Sequence, residues 1–140
     1  MHALSPWARR AVAWGAIGLG LATGAWAQGQ WWAPLEAKAL ANAVSGVGNA
    51  RNLVDANCMP CHGDSGRGDG PAALALPPPK PADWTSDRVQ QQTDGEIFWK
   101  ITHGRGVMPA WKHLSERERW ELVNYIRSLN PRGASLPQPR

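Results

Sequence analysis

The chain has 140 residues, a length typical of one domain, which argues against a multidomain protein. Its composition of 43% hydrophobic and 19% charged residues, with 15 Gly, 12 Pro and 9 Trp, is too apolar and aromatic for a disordered chain, yet it is rich in helix-interrupting residues. The net charge of +4 without a clustered basic stripe argues against nucleic-acid binding, and only two cysteines rule out a disulfide scaffold.

Residues 1–27 have the pattern of a secretory signal peptide. Two arginines, at positions 9 and 10, precede an uncharged stretch rich in Ala, Gly and Leu, and the A-W-A sequence that ends at Ala27 suits signal peptidase. Cleavage there leaves 13 basic and 11 acidic residues, a surplus of +2. An uncleaved membrane anchor is the alternative, although glycines dilute the roughly 20 apolar residues that a span needs. Either outcome predicts a periplasmic domain, soluble or attached to the membrane.

An N-terminal arm, residues 28–47, follows the signal. It contains Trp31 and Trp32, and Pro34 precedes an Ala-rich run that ends at Val44. Proline is favoured in the first turn of a helix, so this run is either one short helix or an extended arm packed on the domain. The pattern leaves both interpretations open.

Three segments are predicted to be helical. Residues 49–57 carry apolar side chains at helical spacing and lead directly into the first cysteine. Thr93 and Ser115 each begin a capping box, with Glu three residues later, and each box predicts a helix after it. We expect the first of these two helices, of about ten residues, to end at Gly104, and the second to end at Asn130-Pro131.

The connecting segments are long and show no strand pattern. Residues 63–81 are dominated by Gly, Pro and Asp, and their run of three prolines forbids both helix and central strand. A loop of this length between well-patterned helices is usually functional. We therefore predict an all-α domain of three to four helices with long loops over residues 48–130, followed by a polar, flexible tail, residues 131–140.

The sequence Cys58-Met59-Pro60-Cys61-His62 is a C-x-x-C-H motif, which is typical of the covalent attachment of a c-type haem. Two thiols three positions apart can reach the two vinyl groups along one edge of a porphyrin, and the adjacent histidine then lies beneath the iron as the proximal ligand. A thioredoxin-like redox pair lacks its usual βαβ pattern here. A zinc site would place His62 too close to Cys61, and a structural disulfide would leave His62 unexplained.

Met108 is the best candidate for the sixth ligand. It lies in a loop where glycines allow the backbone to approach a haem and Pro109 stiffens the chain directly after the sulfur. A methionine that fills a gap in the core is the ordinary alternative. His103 and His113 are rival ligands, but their positions beside a helix end and before a cap are more typical of surface residues.

The proximal histidine also needs an acceptor for its second ring nitrogen, since ligating histidines generally donate that N–H to a carbonyl or a carboxylate. The turn at Pro71 leads the loop back across the proximal side, so a carbonyl at Pro71 or a neighbour is expected to support His62. Lys80, Trp84 and Arg88 are candidates for contacts with haem propionates, although a solvated charge or a packed indole explains each more simply.

Taken in order, these segments resemble the class I c-type cytochromes, and especially the single-haem domains of the cytochrome c subunits of bacterial terminal oxidases. The segments that carry the resemblance are residues 53–58, 61–63, 66–72, 94–98, 108–111 and 122–126. The resemblance implies a cytochrome c-like fold around one covalently bound haem c. It also implies that the first and last helices cross at a close contact, here Ala50 against the face that carries Tyr125.

The predicted function is one-electron transfer between periplasmic redox partner proteins, with His62 and Met108 as the axial ligands of the haem iron. With both positions filled, no coordination site is open to a substrate, so the protein is not expected to be an enzyme. One alternative is an electron-transfer subunit of a larger oxidoreductase, on which the Trp31-Trp32 arm would dock. The other is a haem enzyme or sensor with a labile sixth ligand. The residues expected to surround the haem are Phe98, Trp99, Ile101, Trp111 and Ile126.

Overall fold

The computed structural model describes residues 31–133. The predicted signal segment, residues 1–27, and most of the predicted tail lie outside these residues. Within the described range the secondary structure is helical and contains no strand; Arg105 and Met108 form an isolated antiparallel bridge. No helix in this range is long and apolar enough to cross a membrane. The all-α prediction is confirmed.

Six helical segments follow one another along the described chain. They are α1 (Leu35–Lys38), α2 (Ala50–Asn57), α3 (Met59–His62), α4 (Asp87–Gln90), α5 (Asp94–His103) and α6 (Glu116–Ser128). The three longest, α2, α5 and α6, are the three helices that the sequence predicts. The other three have four residues each, too few to show a helical period in a sequence.

Side-chain caps fix where α5 and α6 begin. The hydroxyl of Thr93 accepts a hydrogen bond from the Glu96 N–H at 3.2 Å, and the Glu96 carboxylate accepts one from the Thr93 N–H at 2.8 Å. Ser115 and Glu118 form the same reciprocal pair before α6. Both predicted capping boxes are confirmed. Caps of this kind typically contribute about 1 kcal/mol to stability.

The core lies where α6 packs on both α2 and α5. Ala50 is fully buried and belongs to one apolar cluster with Tyr125, and the Asn49 N–H donates to the Glu121 carboxylate at 3.3 Å. The crossing of the first long helix with the last, which the resemblance implies, is therefore present. The small side chain of Ala50 allows this close approach.

Arg127 ties α6 to the turn between α4 and α5. Its Nε donates to Asp94 Oδ1 at 2.8 Å and its Nη1 donates to the Gln90 carbonyl at 2.8 Å. Its Nη2 donates to the carbonyl of Gln92. A planar guanidinium can make all three bonds at once, which fixes this turn against the last helix.

The N-terminal arm combines the two forms that its sequence leaves open. It contains one helical turn, α1, whose Ala37 is buried, and then residues 39–47, which are not helical. Asn124 of α6 holds this second part, because its side chain accepts from Asn42 Nδ2 at 2.7 Å and donates to the Val44 carbonyl at 2.9 Å. The arm therefore lies on the domain.

Candidate haem-binding site

An apolar cavity of about 520 Å³ lies within the helical domain, in the size range of ligand and cofactor sites. Its lining includes Cys58, Cys61, His62 and Met108, which are four of the five residues predicted to form the site. Pro71, the fifth, does not line it. The sequence separates Met108 widely from the C-x-x-C-H motif, so the fold itself brings these side chains to one space.

The end of α2 and the turn of α3 place the two cysteines and the histidine together. The Cys58 N–H donates to the Val54 carbonyl at 2.8 Å, and the His62 N–H donates to the Cys58 carbonyl at 2.8 Å. One helical turn therefore separates Cys58 from His62, so the two residues lie on the same side of α3. Gly63 then ends α3 with a φ of 77°, in the left-handed region that favours glycine.

The ring of His62 is fixed by a carbonyl and by an indole. Its Nδ1 lies 3.1 Å from the carbonyl oxygen of Ala82, and Trp84 stacks on it with ring centroids 4.3 Å apart. Burial lowers the pKa of His62, against the opposing effect of the Ala82 carbonyl, so the imidazole is held neutral at pH 7. Since a carbonyl can only accept, the proton lies on Nδ1, and the lone pair of Nε2 is available to a metal ion.

Ala82, and not Pro71, supplies the acceptor for His62. The backbone around Pro71 closes the loop on α3 instead: the Gly70 N–H donates to the Cys61 carbonyl at 3.2 Å, and the Ala72 N–H donates to the Pro60 carbonyl at 2.8 Å. Only after the run of prolines does the chain return to the imidazole. The expected type of partner is present, but the expectation of Pro71 is corrected.

Trp84 is buried, and hydrogen bonds at both ends of its backbone fix its position. Its N–H donates to the Gly66 carbonyl at 2.7 Å. Its carbonyl accepts from Nε2 of the buried Gln90 at 2.7 Å, and the same Nε2 also donates to the Ile126 carbonyl at 2.9 Å. A Cβ at Gly66 would lie 2.8 Å from the indole, so only glycine fits beneath it. The sequence suggests either a propionate contact or a packed indole for Trp84; the indole is packed, and its stack on the histidine was not predicted.

Met108 lies in a tight reversal of the chain between α5 and α6. The Arg105 N–H donates to the Met108 carbonyl at 2.9 Å, and the Met108 N–H donates to the Arg105 carbonyl at 3.0 Å. Gly104 and Gly106 have φ values of 62° and 57°, which glycine adopts without strain. A Cβ at Gly104 would lie 2.4 Å from the Met108 carbonyl, so this glycine allows the close return of the loop.

The two rival ligands are not part of this cavity. His103 and His113 are exposed, and neither lines it. His103 stacks on Trp99 at 4.5 Å, with its Nδ1 2.9 Å from the Trp99 carbonyl, and His113 lies beside Trp111. Among the candidate sixth ligands, the geometry therefore favours Met108.

The apolar lining differs in part from the expected set. Three of the expected residues line the cavity, namely Ile101, Trp111 and Ile126. Phe98 and Trp99 do not, because they lie on other faces of α5, where Phe98 stacks on Trp120 with centroids 3.9 Å apart. Helical spacing marks the apolar residues of α5 but does not say which of its buried faces meets the cavity.

The candidate propionate partners differ in their surroundings. The Lys80 ammonium donates to three carbonyls of its own loop, at 2.9, 3.2 and 2.7 Å, so it stabilises that loop. Arg88 is exposed and lines the cavity. Lys100, which the sequence did not single out, also lines it; burial lowers its pKa, and its Nζ donates to Gln92 Oε1 at 2.7 Å.

The donor set fits haem c better than the competing sites. Burial raises the pKa of Cys58 to about 11, which is opposite to the lowered pKa of a redox-active thiol pair. Both cysteines are free, and residues 31–133 contain no cluster of three His, Cys, Asp or Glu side chains placed to hold a metal ion. Two thiols, a neutral imidazole next to them and a methionine sulfur around an apolar space form a donor set that suits haem c.

Comparisons with known proteins identify the family of this domain. A family model described as cytochrome c oxidase, cbb3-type, subunit III matches residues 46–126. The cbb3-type cytochrome c oxidase subunit CcoP of an Azospirillum species is 33% identical over 88 residues, which cover 59% of this chain and 28% of CcoP. The chain thus spans little more than a quarter of that relative.

A solved structure is similar as well. It belongs to a reducing HAO-like protein complex of Kuenenia stuttgartiensis and superimposes with a TM-score of 0.56 at 26% sequence identity. The match covers 71% of this chain and 49% of the other.

Proposed function

The chain belongs to the cbb3-type cytochrome c oxidase subunit III family of c-type cytochromes, with one covalent haem c as its cofactor, and on that premise we propose that it transfers single electrons between redox partner proteins in the periplasm. The observation that carries the proposal is that Cys58, Cys61, His62 and Met108 line one apolar cavity. Bound haem supplies an iron that changes its oxidation state by one electron.

The side chains have separate roles in this proposal. The thiols of Cys58 and Cys61 would hold the porphyrin covalently, and Nε2 of His62, whose Nδ1–H donates to the Ala82 carbonyl, would bind the iron. Met108 would supply the sulfur ligand. With His62 and Met108 both bound, a substrate would have no access to the metal, which favours electron transfer over catalysis.

The cavity walls also favour a carrier of relatively high reduction potential. The lining includes the hydrocarbon side chains of Val54, Ile97, Leu122 and Ile126. An apolar environment of this kind stabilises the less charged, reduced form of a buried centre. Ligation by methionine and histidine also raises the reduction potential. The walls and the ligands therefore support the same role.

The proposed location rests on the first part of the sequence. Residues 1–27 combine a basic start, an apolar middle and a small-residue end, as in secretory signals. We place the cytochrome domain at residues 48–130. Cleavage of the signal yields a soluble periplasmic carrier, and retention of the segment yields a membrane-attached one.

A second function is favoured by the relatives. The curated match is a subunit of an oxidase, and the solved match belongs to a protein complex. In this alternative, the chain is a fixed electron-transfer subunit of a larger oxidoreductase, and it passes electrons to one permanent neighbour.

The exported holoprotein allows both functions to be tested. For the carrier, we expect a redox titration with a one-electron slope and no ready binding of carbon monoxide to the reduced protein at neutral pH. Ready binding of carbon monoxide would show an open sixth position and contradict the proposed ligation. Recovery of the chain from its native host in a stable, stoichiometric complex would instead favour the fixed subunit.

A further inference from the structure

The N-terminal arm reaches the cavity that holds the proposed ligands. Trp31 and Trp32 line the same space as Cys58 and Met108. Both indoles precede the family match, which begins at residue 46. This part of the cavity wall is therefore supplied by a segment outside the matched domain.

Aromatic and cationic contacts hold the two indoles in place. Trp31 meets Trp99 edge to face, with centroids 6.3 Å apart, and the Lys100 ammonium lies 5.8 Å from the Trp31 ring. Lys38 lies over Trp32 at 5.6 Å. Edge-to-face aromatic pairs and ammonium–indole contacts are both attractive geometries, so α5 and the arm position these rings together.

The arm behind the indoles is packed tightly on α5. Ala33 and Ala37 are buried, and a Cβ at Gly95 would lie only 1.9 Å from the Ala37 carbonyl oxygen. Lys38 forms an ion pair with the buried carboxylate of Glu96, with an N–O distance of 3.4 Å. Glycine at position 95 is thus the residue that lets the arm backbone lie directly on the helix.

We propose that this arm is a wall of the haem pocket and that Trp31 shields the bound haem from solvent. The proposal rests on haem attachment at Cys58 and Cys61, as proposed above. Shielding keeps water away from the haem, which raises its reduction potential and slows its reaction with small hydrophilic reagents. Trp31 is half-buried against Trp99, so it belongs to its own domain and is not a free docking side chain.

The first test compares Trp31→Ala with Leu35→Ala as a matched control. Leu35 lies on the same arm, is 80% exposed and does not line the cavity. After mass spectrometry has confirmed covalent haem in each protein, two quantities are measured: the midpoint potential and the rate at which hexacyanoferrate(III) oxidises the reduced protein. We expect Trp31→Ala to lower the potential and raise the rate several-fold, while Leu35→Ala matches the wild type.

A second variant displaces the arm without replacing any residue that lines the cavity. Gly95→Ala places a methyl group against the Ala37 backbone and the Leu40 Cβ, yet alanine is a better helix former than glycine, so α5 itself is retained. Hydrogen exchange should show faster exchange of amides in residues 33–44. The potential and the oxidation rate should change in the same direction as in Trp31→Ala.

The outcomes distinguish a failure of this proposal from a failure of haem attachment. Wild-type potential and oxidation rate in both variants, with haem attached and the arm exchanging faster in Gly95→Ala, would overturn the proposal. So would a Trp31→Ala protein whose haem properties are unchanged but which no longer assembles with a partner, since that result assigns the arm to docking. If Trp31→Ala alone fails to fold, the midpoint potential and the oxidation rate of Gly95→Ala decide whether the proposal holds. Absence of covalent haem from the wild type would instead refute the proposed function.

Discussion

The indole of Trp84 lies nearly parallel to the imidazole of His62, with an angle of 22° between the two rings and 4.3 Å between their centroids. On another side, Trp84 meets Tyr125 of α6 edge to face at 6.5 Å. The proposed proximal ligand is thereby packed, through one side chain, against the helix that forms the centre of the core.

Replacing this indole should destabilise the domain. Trp84 is only 7% exposed, so we expect Trp84→Ala to lower the free energy of unfolding by about 3–5 kcal/mol, as for other buried aromatic side chains. Trp84→Phe keeps a ring against His62 and should cost clearly less. Urea denaturation of the holoproteins measures both values. Equal losses in the two variants would contradict a stabilising contribution from the ring that Trp84→Phe keeps against His62.

The hydrogen bonds of Gln90 should stabilise the folded domain. Gln90→Met keeps the length of the side chain but removes the donor shared by the Trp84 and Ile126 carbonyls, so we expect a loss of about 1–3 kcal/mol. The neighbouring Gln91 is exposed, and Gln91→Met should stay within about 0.5 kcal/mol of the wild type. The two variants are compared by chemical denaturation. A Gln90→Met protein as stable as Gln91→Met would refute this role.

Removal of the haem should disrupt folding. The cavity of about 520 Å³ is largely apolar, and a chain of this size has few other apolar contacts to compensate for its exposure to water. For the Cys58→Ala, Cys61→Ala double variant, we expect no cooperative thermal transition near that of the holoprotein. Scanning calorimetry provides the measurement. A sharp transition at a similar temperature would show that the polypeptide folds without its cofactor.

The capping box of α6 should make stability depend on acid pH. Hydrogen bonds from the hydroxyl and the N–H of Ser115 lower the pKa of Glu118 below its ordinary value of 4.5. A lowered pKa in the folded state stabilises the fold above the unfolded-state pKa, and this contribution is lost as pH falls through the folded-state pKa. The wild type should therefore exceed Glu118→Gln in melting temperature at neutral pH, with a difference that shrinks in acid.

Thermal unfolding of both proteins between about pH 7 and about pH 3 measures this difference. Ser115→Ala serves as the matched variant, because it removes one of the two donors and should reduce the same pH-dependent increment. A difference between wild type and Glu118→Gln that stays constant across this range would contradict the assignment.

The sequence predicts those parts of the structure whose cause is local. Thr93 and Ser115 cap helices through residues three positions away, so both starts can be found without a fold. The C-x-x-C-H motif likewise identifies the haem-binding segment from five consecutive residues. The glycines and the proline around Met108 make it the candidate sixth ligand, and the fold brings it to the same cavity as the motif.

Features that depend on the path of a loop were not predictable in the same way. The chemistry of a ligating histidine requires an acceptor, but only the return of the chain after the prolines determines that Ala82 provides it. Trp84 reaches His62 by the same route. The position of Trp31 at the cavity depends on how the arm packs on α5. The one local sign of that packing is Gly95, since a glycine in a helix often marks a close approach of another backbone.

The most direct test of the central claim is the absorption spectrum of the ferric holoprotein with Met108 replaced. We predict a weak far-red band from the bond between sulfur and iron in the wild type, and its loss in Met108→Ala. Met59 is the other methionine of the described chain and does not line the cavity, so Met59→Ala should keep the band. A band that survives in Met108→Ala, or is missing from the wild type, would contradict iron ligation by Met108 in this pocket.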